Sequence, residues 1–222
     1  MPPALTVLQL DTDFPRVPGD VSCLQTYLGD IEIIRIKSAT VSRIVNTRPE
    51  DIDIAPFEAA LKSAKGEVIV TSCGFLSYWQ THLAQQSAKP FISSSLTALD
   101  TLAKHFSAEE LLILTFDAAS LTTSHLGAHT DYAQSILGLP EDSHLREVIS
   151  QNKNQLDTQR AQREITAFVR THISAKHRHI LLECTNLPPY KAALTECTGL
   201  AVTDILNLIE NNCAGTVRPA FL

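Results

Sequence analysis

The sequence predicts an α/β fold made of two similar lobes with mainly parallel sheets, and three observations lead there. Short runs of buried-type strand residues alternate with helical spacing along the chain, the pattern of parallel sheets joined by right-handed crossovers. Two stretches are built alike, VIVTSCGFLSYW around Cys73 and ILLECTNLPPYKAAL around Cys184. Each is a strand that ends in a cysteine and passes at once into a helical pattern, and the two cysteines stand half a chain length apart.

Taken in order, Leu5 to Leu10 reads as a buried first strand that ends in Asp11-Thr12-Asp13. The segment Phe14 to Asp20 holds two prolines and a glycine, a stiff and shaped loop at the place where α/β folds bind ligands. Ile31 to Ile36 is the second strand, and Asp53 to Ala64 has helical spacing through Ile54, Phe57, Ala60 and Leu61. Glu67 to Ser72 is the third strand. Beyond Cys73, Gly74 allows close backbone approach, and Leu76, Tyr78, Trp79 and Leu83 supply a helical stripe. Lys89 to Ile92 makes a short fourth strand, after which Ser93-Ser94-Ser95 opens a helix, as caps or as ligands of a carboxylate or phosphate.

The second half repeats the order. Leu111 to Thr115 is a strand, Asp117 to Thr122 a helix start, Ser135 to Leu139 a short strand, and Pro140 to Ser143 a turn. Asp157 to Ile173 forms a long amphipathic helix with Arg160, Arg163, Glu164 and Arg170 on its solvated face. His177 to Leu182 leads to Cys184, Leu187-Pro188-Pro189-Tyr190 starts a helix that Gly199 ends, and Ala201 to Thr203 and Ile205 to Asn211 close the chain as strand and helix. The expected division is 1–95 with 205–222 in an N-terminal lobe and 96–204 in a C-terminal lobe. Asp11, Cys73, Ser93 to Ser95, Thr115 and Cys184 all fall at carboxyl ends of strands, where such sheets gather their loops.

Composition removes several function classes. A net charge of −6 with interspersed signs offers no basic stripe for nucleic acid. No apolar run approaches the ~20 residues of a membrane span, and MPPALTVLQLDTDFP lacks the pattern of a signal peptide, so a cytoplasmic protein is expected. Five cysteines without dense spacing then read as free thiols, with Cys23, Cys197 and Cys213 structural. The histidines His172, His177 and His179 sit on different elements or opposite strand faces, so no metal site is expected.

A thiol at a strand end beside a helix N-terminus is expected to have its pKa lowered from ~8.5 toward neutrality. Such a thiol serves as base or nucleophile. Nucleophilic catalysis by Cys73 fits the strand-to-helix turn but leaves Cys184 without a role. Two thiols across a cleft suit removal of a proton from one face of a carbon and its return on the other, with hydroxyls and amides holding the substrate carboxylate.

The motifs LQLDTDFPRVPGD, VTSCGFL and LLECTNLPPY resemble those of the aspartate/glutamate racemase superfamily, over nearly the whole chain. That superfamily also holds hydantoin racemase, maleate cis-trans isomerase and arylmalonate decarboxylase. The resemblance implies two pseudo-symmetric, flavodoxin-like lobes with the active site in the cleft between them, and Cys73 and Cys184 as the acid/base pair. It further implies substrate contacts from Asp11 and Thr12, from Thr185 and Asn186 after the second cysteine, and from Thr115 and the Ser94 region as carboxylate-binding loops. Amino-acid racemases usually carry Cys-Asn-Thr at the first cysteine; here Gly74 and Phe75 follow Cys73, which removes a polar contact to substrate. Arg16 is the expected partner of a second carboxylate.

The leading reading is a cofactor-independent racemase or epimerase acting α to a carboxylate, on an amino acid or related small dicarboxylate. Three alternatives stand beside it: a cis-trans isomerase or other superfamily reaction with a nucleophilic cysteine; a decarboxylase that protonates an enolate, against which the presence of both cysteines argues; and a small-acid binding protein with inert thiols. The expected partner is a small carboxylate, with neither nucleic acid nor membrane. Homodimers are common among such enzymes, and no stretch of this sequence specifies an interface.

Overall fold

The structure, a computed structural model, describes residues 3–222. Its centre is two sheets of the same design. Strands β1 (Leu5–Leu10), β2 (Glu32–Ile36), β3 (Val68–Thr71) and β4 (Phe91–Ile92) form the first, in the order β2-β1-β3-β4. Strands β5 (Leu111–Thr115), β6 (Ile136–Gly138), β7 (His179–Leu182) and β8 (Ala201–Thr203) form the second, in the order β6-β5-β7-β8. All pairings within both sheets are parallel. The register sets Val7 opposite both Ile33 and Val70, and Ile113 opposite both Ile136 and Leu181.

Parallel strands are covered by crossover helices on both faces, so their interior members are apolar throughout rather than alternating. The strands β3, β5 and β7 obey this, being buried at every position. Because the strand orders match, β3 and β7 hold equivalent places. Each ends two residues before its cysteine, Thr71 before Cys73 and Leu182 before Cys184. The repeated topology thus delivers two thiols to one rim.

The covering helices are Ala55–Ser63, Gln80–Gln86, Thr158–His172, Lys191–Thr198 and Ile205–Asn212, with short turns between. Gly199 ends the fourth of these in the left-handed conformation, φ 71°, which costs glycine nothing sterically. Ile205, Leu206 and Ile209 of the last helix pack with Leu5, Val7, Val68 and Val70, so the chain's final helix covers the first sheet. A second apolar cluster is continuous across both sheets, from Leu8, Ile69 and Phe75 to Leu114, Leu181 and Leu182.

Three local readings change. Asp117 to Thr122, expected to start a helix, forms turns, and only a 3-10 segment follows, at Thr123–Leu126. The segments after both cysteines begin as 3-10 turns, Gly74–Trp79 and Pro188–Tyr190, before α-helix sets in. Pro188 and Pro189 lack amide protons. In the first turn, Phe75 packs edge-on to Phe116 and His125, and Ser77 Oγ donates to the His125 carbonyl. A helix at His144–Ser150, in a stretch that reads only as following a turn, buries Leu145, Val148 and Ile149. Its apolar set is too short to show a period by itself. No helix among the described residues is long and apolar enough to cross a membrane.

Asp204 is buried and caps the last helix, accepting from the amides of Leu206 and Asn207 at 2.8 and 3.2 Å. The ammonium of the buried Lys191 lies 3.3 Å from its other oxygen. Asp204→Ala removes the cap and leaves a buried cation with Asn207 as its remaining partner. It is expected to cost about 3 kcal/mol in urea denaturation, whereas loss of an exposed pair such as Lys176 with Glu109 should leave the midpoint nearly unchanged.

Candidate active site

The loop after β1 builds one wall of the cleft. Arg16 lies over the Phe14 ring at 4.3 Å and donates through one terminal nitrogen to Thr12 Oγ1 at 2.9 Å. Its other terminal nitrogen donates to both oxygens of Asp20 at 3.3 Å. The Nε of Arg16 is buried and has no protein partner. Asp20, 2 % exposed, also accepts from the Ser22 amide at 2.7 Å and from Asn186 Nδ2 at 2.5 Å. That last bond ties the loop after β1 to the turn after β7.

The opposite wall comes from the turns that follow β3 and β7. Together the elements form a narrow cleft lined by Arg16, Ser72, Cys73, Gly74, Cys184, Thr185 and Asn186 with a set of apolar side chains. Phe14, Phe75 and Phe116 are the aromatic members, and Leu10, Val41, Val45 and Ile149 the aliphatic ones. Among the described residues, Arg16 is the one cation in this lining, and the lining includes no carboxylate. Thr185 Oγ1 donates to the Ser72 carbonyl at 2.7 Å and Ser95 Oγ to the Leu182 carbonyl at 2.6 Å, so the lobes are fastened together directly beneath it.

Both thiols are buried, Cys73 at 7 % and Cys184 at 5 % exposure. Burial pushes the Cys73 thiol up to about 12, and the Glu183 carboxylate adds to the effect. The Phe75 amide and the Arg16 guanidinium oppose it. Cys184 is also pushed well up by burial, then by Glu183, with Cys73 and Asp20 contributing further and the Asn186 amide opposing. The expected lowering by a helix terminus is overturned. The turn after Cys73 is a 3-10 segment rather than an aligned α-helix, and desolvation of a thiolate outweighs what one or two amides return.

Seven of the residues singled out in the sequence come together in the cleft wall: Arg16, Cys73, Gly74, Phe75, Cys184, Thr185 and Asn186. Four others do not. Asp11 faces away, its oxygens taken by Arg35 Nε at 2.6 Å and the Ser38 amide at 2.9 Å. Thr12 stands behind Arg16 as its acceptor. Ser94 Oγ accepts from the Leu96 amide at 3.1 Å, an N-cap and no more. Thr115 Oγ1 donates to Glu183 Oε2 at 2.6 Å and is not part of the lining.

Glu183 and Asp20 are what sequence reasoning passed over. Glu183 is 1 % exposed, and burial raises its carboxyl to about 7 despite the Thr115 bond. One signal was available: Glu183 is a lone charge directly after the apolar run Ile180 to Leu182. Asp20 looked like one more polar loop residue, and only the folded loop reveals its burial.

No family model matches the chain. It is 30% identical to dimethylsulfoniopropionate lyase 5 of Emiliania huxleyi (strain CCMP1516), over 99% of this chain and 47% of that protein. It is 27% identical to dimethylsulfoniopropionate lyase 3 of the same organism, over 99% of this chain and 61% of that protein. The chain thus spans about half to three-fifths of the length of these relatives. Among solved structures it resembles allantoin racemase from Pseudomonas fluorescens, with TM-score 0.60 and 11% identity over 93% of this chain and 89% of that one. It also resembles unliganded arylmalonate decarboxylase, with TM-score 0.57 and 13% identity over 98% and 96%. The two-lobed α/β fold is therefore shared with the racemases and the decarboxylase.

The raised thiols make a direct prediction. With no ligand bound, the carbamidomethylation rate of Cys73, followed by peptide-resolved mass spectrometry, should keep rising with pH from 6 to 10 without a plateau. A plateau by pH 8 would mean a thiolate already present near neutrality, contrary to the cleft's electrostatics.

Proposed function

We propose that the chain is a thiol acid/base enzyme that removes the proton α to a carboxylate and, in doing so, expels a leaving group from the β-carbon. One observation carries this reading: two buried cysteines at equivalent strand ends open on a single apolar cleft whose lining holds one cation, Arg16, with a buried Nε that has no protein partner. A substrate carboxylate on Arg16 gains a charge-assisted hydrogen bond and satisfies that nitrogen.

The lining favours certain substrates. Among the described residues no carboxylate lines the cleft to pair with an α-ammonium and no second cation lines it to take a second carboxylate, which weighs against amino acids and dicarboxylates. Three aromatic rings suit a soft organic cation instead. The relatives' names point the same way, since dimethylsulfoniopropionate carries a carboxylate at one end and a sulfonium at the other.

The steps follow from the groups present. Binding brings a fixed positive charge into a dry cleft, where it favours the thiolate form of a neighbouring cysteine. Cys73, beside Arg16, ionises before Cys184, which has Asp20 as an additional anionic neighbour. The Cys73 thiolate takes the α-proton, the released electron pair forms the α–β double bond, and the carbon–sulfur bond breaks with its electrons leaving on sulfur. A dimethylsulfonio substrate would yield dimethyl sulfide and acrylate, and the Cys73 thiol would then return its proton to solvent. Arg16 and the Thr185 and Asn186 side of the cleft hold the carboxylate as charge develops on it.

A second reading keeps the matched pair of thiols fully employed: racemisation, with Cys184 returning a proton to the opposite face of the carbon. The duplicated geometry of β3 and β7 favours it, and so does the fold shared with racemases. A nucleophilic isomerase is less well supported, because burial opposes a resting thiolate at both cysteines.

Incubation in heavy water with dimethylsulfoniopropionate, 2-hydroxy acids, amino acids and hydantoins, followed by proton NMR, separates these readings. Loss of dimethyl sulfide from the sulfonium with no exchange elsewhere supports elimination; deuterium entry with loss of optical activity supports racemisation. Cys73→Ser is expected to lower kcat at least about a thousandfold, and Arg16→Ala to raise KM about tenfold to a hundredfold. Full activity in Cys73→Ser would rule out the thiol base.

A further inference from the structure

Beneath the cleft floor lies a carboxyl that the proposed elimination does not use. Glu183 sits between the two thiol-bearing turns: Cys184 follows it in sequence, and its side chain packs on Gly74, the residue after Cys73. A methyl group built on Gly74 would overlap Glu183 Oε1 and come within 2.7 Å of the Glu183 carbonyl oxygen. The space that a side chain at position 74 would fill is therefore occupied by Glu183. Oε2 accepts from Thr115 Oγ1, while Oε1 is fully buried and has no partner. A carboxyl buried with a single hydrogen bond beside two thiols calls for an explanation.

We propose that Glu183 is a positioning residue that reinforces burial in keeping both cleft thiols protonated in the empty enzyme, acting once ionised as a shared buried anion against which either thiolate would have to form. The inference rests on the thiol acid/base reading and explains why an enzyme of that kind should carry unreactive cysteines at rest. Substrate supplies the opposing positive charge, so base strength emerges only when there is a proton to take. The groups facing Glu183 are few. Thr115 donates to it from the end of β5, and Asp117, beyond that strand, opposes its ionisation while itself held by Arg146 at 3.2 Å. Cys73 and Cys184, on the turns after β3 and β7, both feel its charge, and Ser95 Oγ reaches its backbone carbonyl at 3.4 Å. Arg16 acts from across the cleft on Cys73 rather than on the carboxyl.

The direction of the effect is fixed. Removing the anion favours thiolate, so thiol reactivity must begin at lower pH. The test is Glu183→Gln, read by carbamidomethylation of Cys73 and Cys184 between pH 6 and 10 with peptide-resolved mass spectrometry, in the absence of substrate. At pH 9 the rate at one or both cysteines should rise about tenfold or more, as it does when a thiol becomes about ten times more acidic, while Cys197 and Cys213 stay unchanged. Identical profiles at both cleft cysteines in Glu183→Gln and wild type would overturn the proposal. Should Glu183→Gln not fold, Thr115→Val removes the hydroxyl that favours the ionised carboxyl and must raise thiol reactivity between pH 7 and 8, where that carboxyl changes its ionisation; unmoved profiles in that range overturn it equally. The outcome is separable from the catalytic reading: a displaced profile together with a fully active Cys73→Ser would sink thiol-base catalysis and leave Glu183's hold on the thiols standing.

Discussion

Loop, seam and cleft all hang on one buried carboxylate, Asp20. It closes the loop after β1 on itself through the Ser22 amide, carries the Arg16 guanidinium and receives Asn186 from the turn after β7. A buried anion is tolerable only with such a set of donors, and withdrawing it would strand Arg16 and Asn186 in a dry place. Through Asp20 the first lobe's loop is held against the second lobe's turn, and the wall that carries Arg16 faces the thiols. Gly19 contributes by geometry: it has φ 98°, and a methyl there would come within 2.8 Å of Pro189 Cα, so only glycine lets the loop lie this close to the second lobe.

The fold supplies the symmetry that this seam exploits. Two sheets of the same strand order bring equivalent strand ends to a common rim, and each contributes a thiol from the same place. The electrostatics around the two are unequal. Arg16 stands near Cys73, and Asp20 weighs further on Cys184. A matched architecture with a mismatched field suits a site in which one thiol takes a proton while the other remains protonated, whichever product follows.

The strands were legible in the sequence because parallel strands buried on both faces leave an uninterrupted apolar run, as at Leu5 to Leu10 and Leu111 to Thr115. The cysteines were legible because each ends such a run. What could not be read was the direction of their acidity. A helix terminus and a desolvated pocket push a thiol opposite ways, and only the burial of both sulfurs and the presence of Glu183 decide between them. Asp11 and Thr115 misled for a related reason. A polar residue at a strand's carboxyl end is well placed to meet a ligand, but Arg35 had already engaged the first and Glu183 the second. Sequence position locates the rim; which groups on it remain free depends on partners tens of residues away.

If both thiols and Arg16 serve one substrate carbon, a crystal structure of the protein with propionate or acrylate bound should display all three around it. The carboxylate is expected on Arg16 Nε and the α-carbon within about 3.5 Å of Cys73 Sγ, with Cys184 Sγ on the opposite side of the same carbon. A carboxylate bound away from Arg16, or an α-carbon out of reach of Cys73, would refute that arrangement.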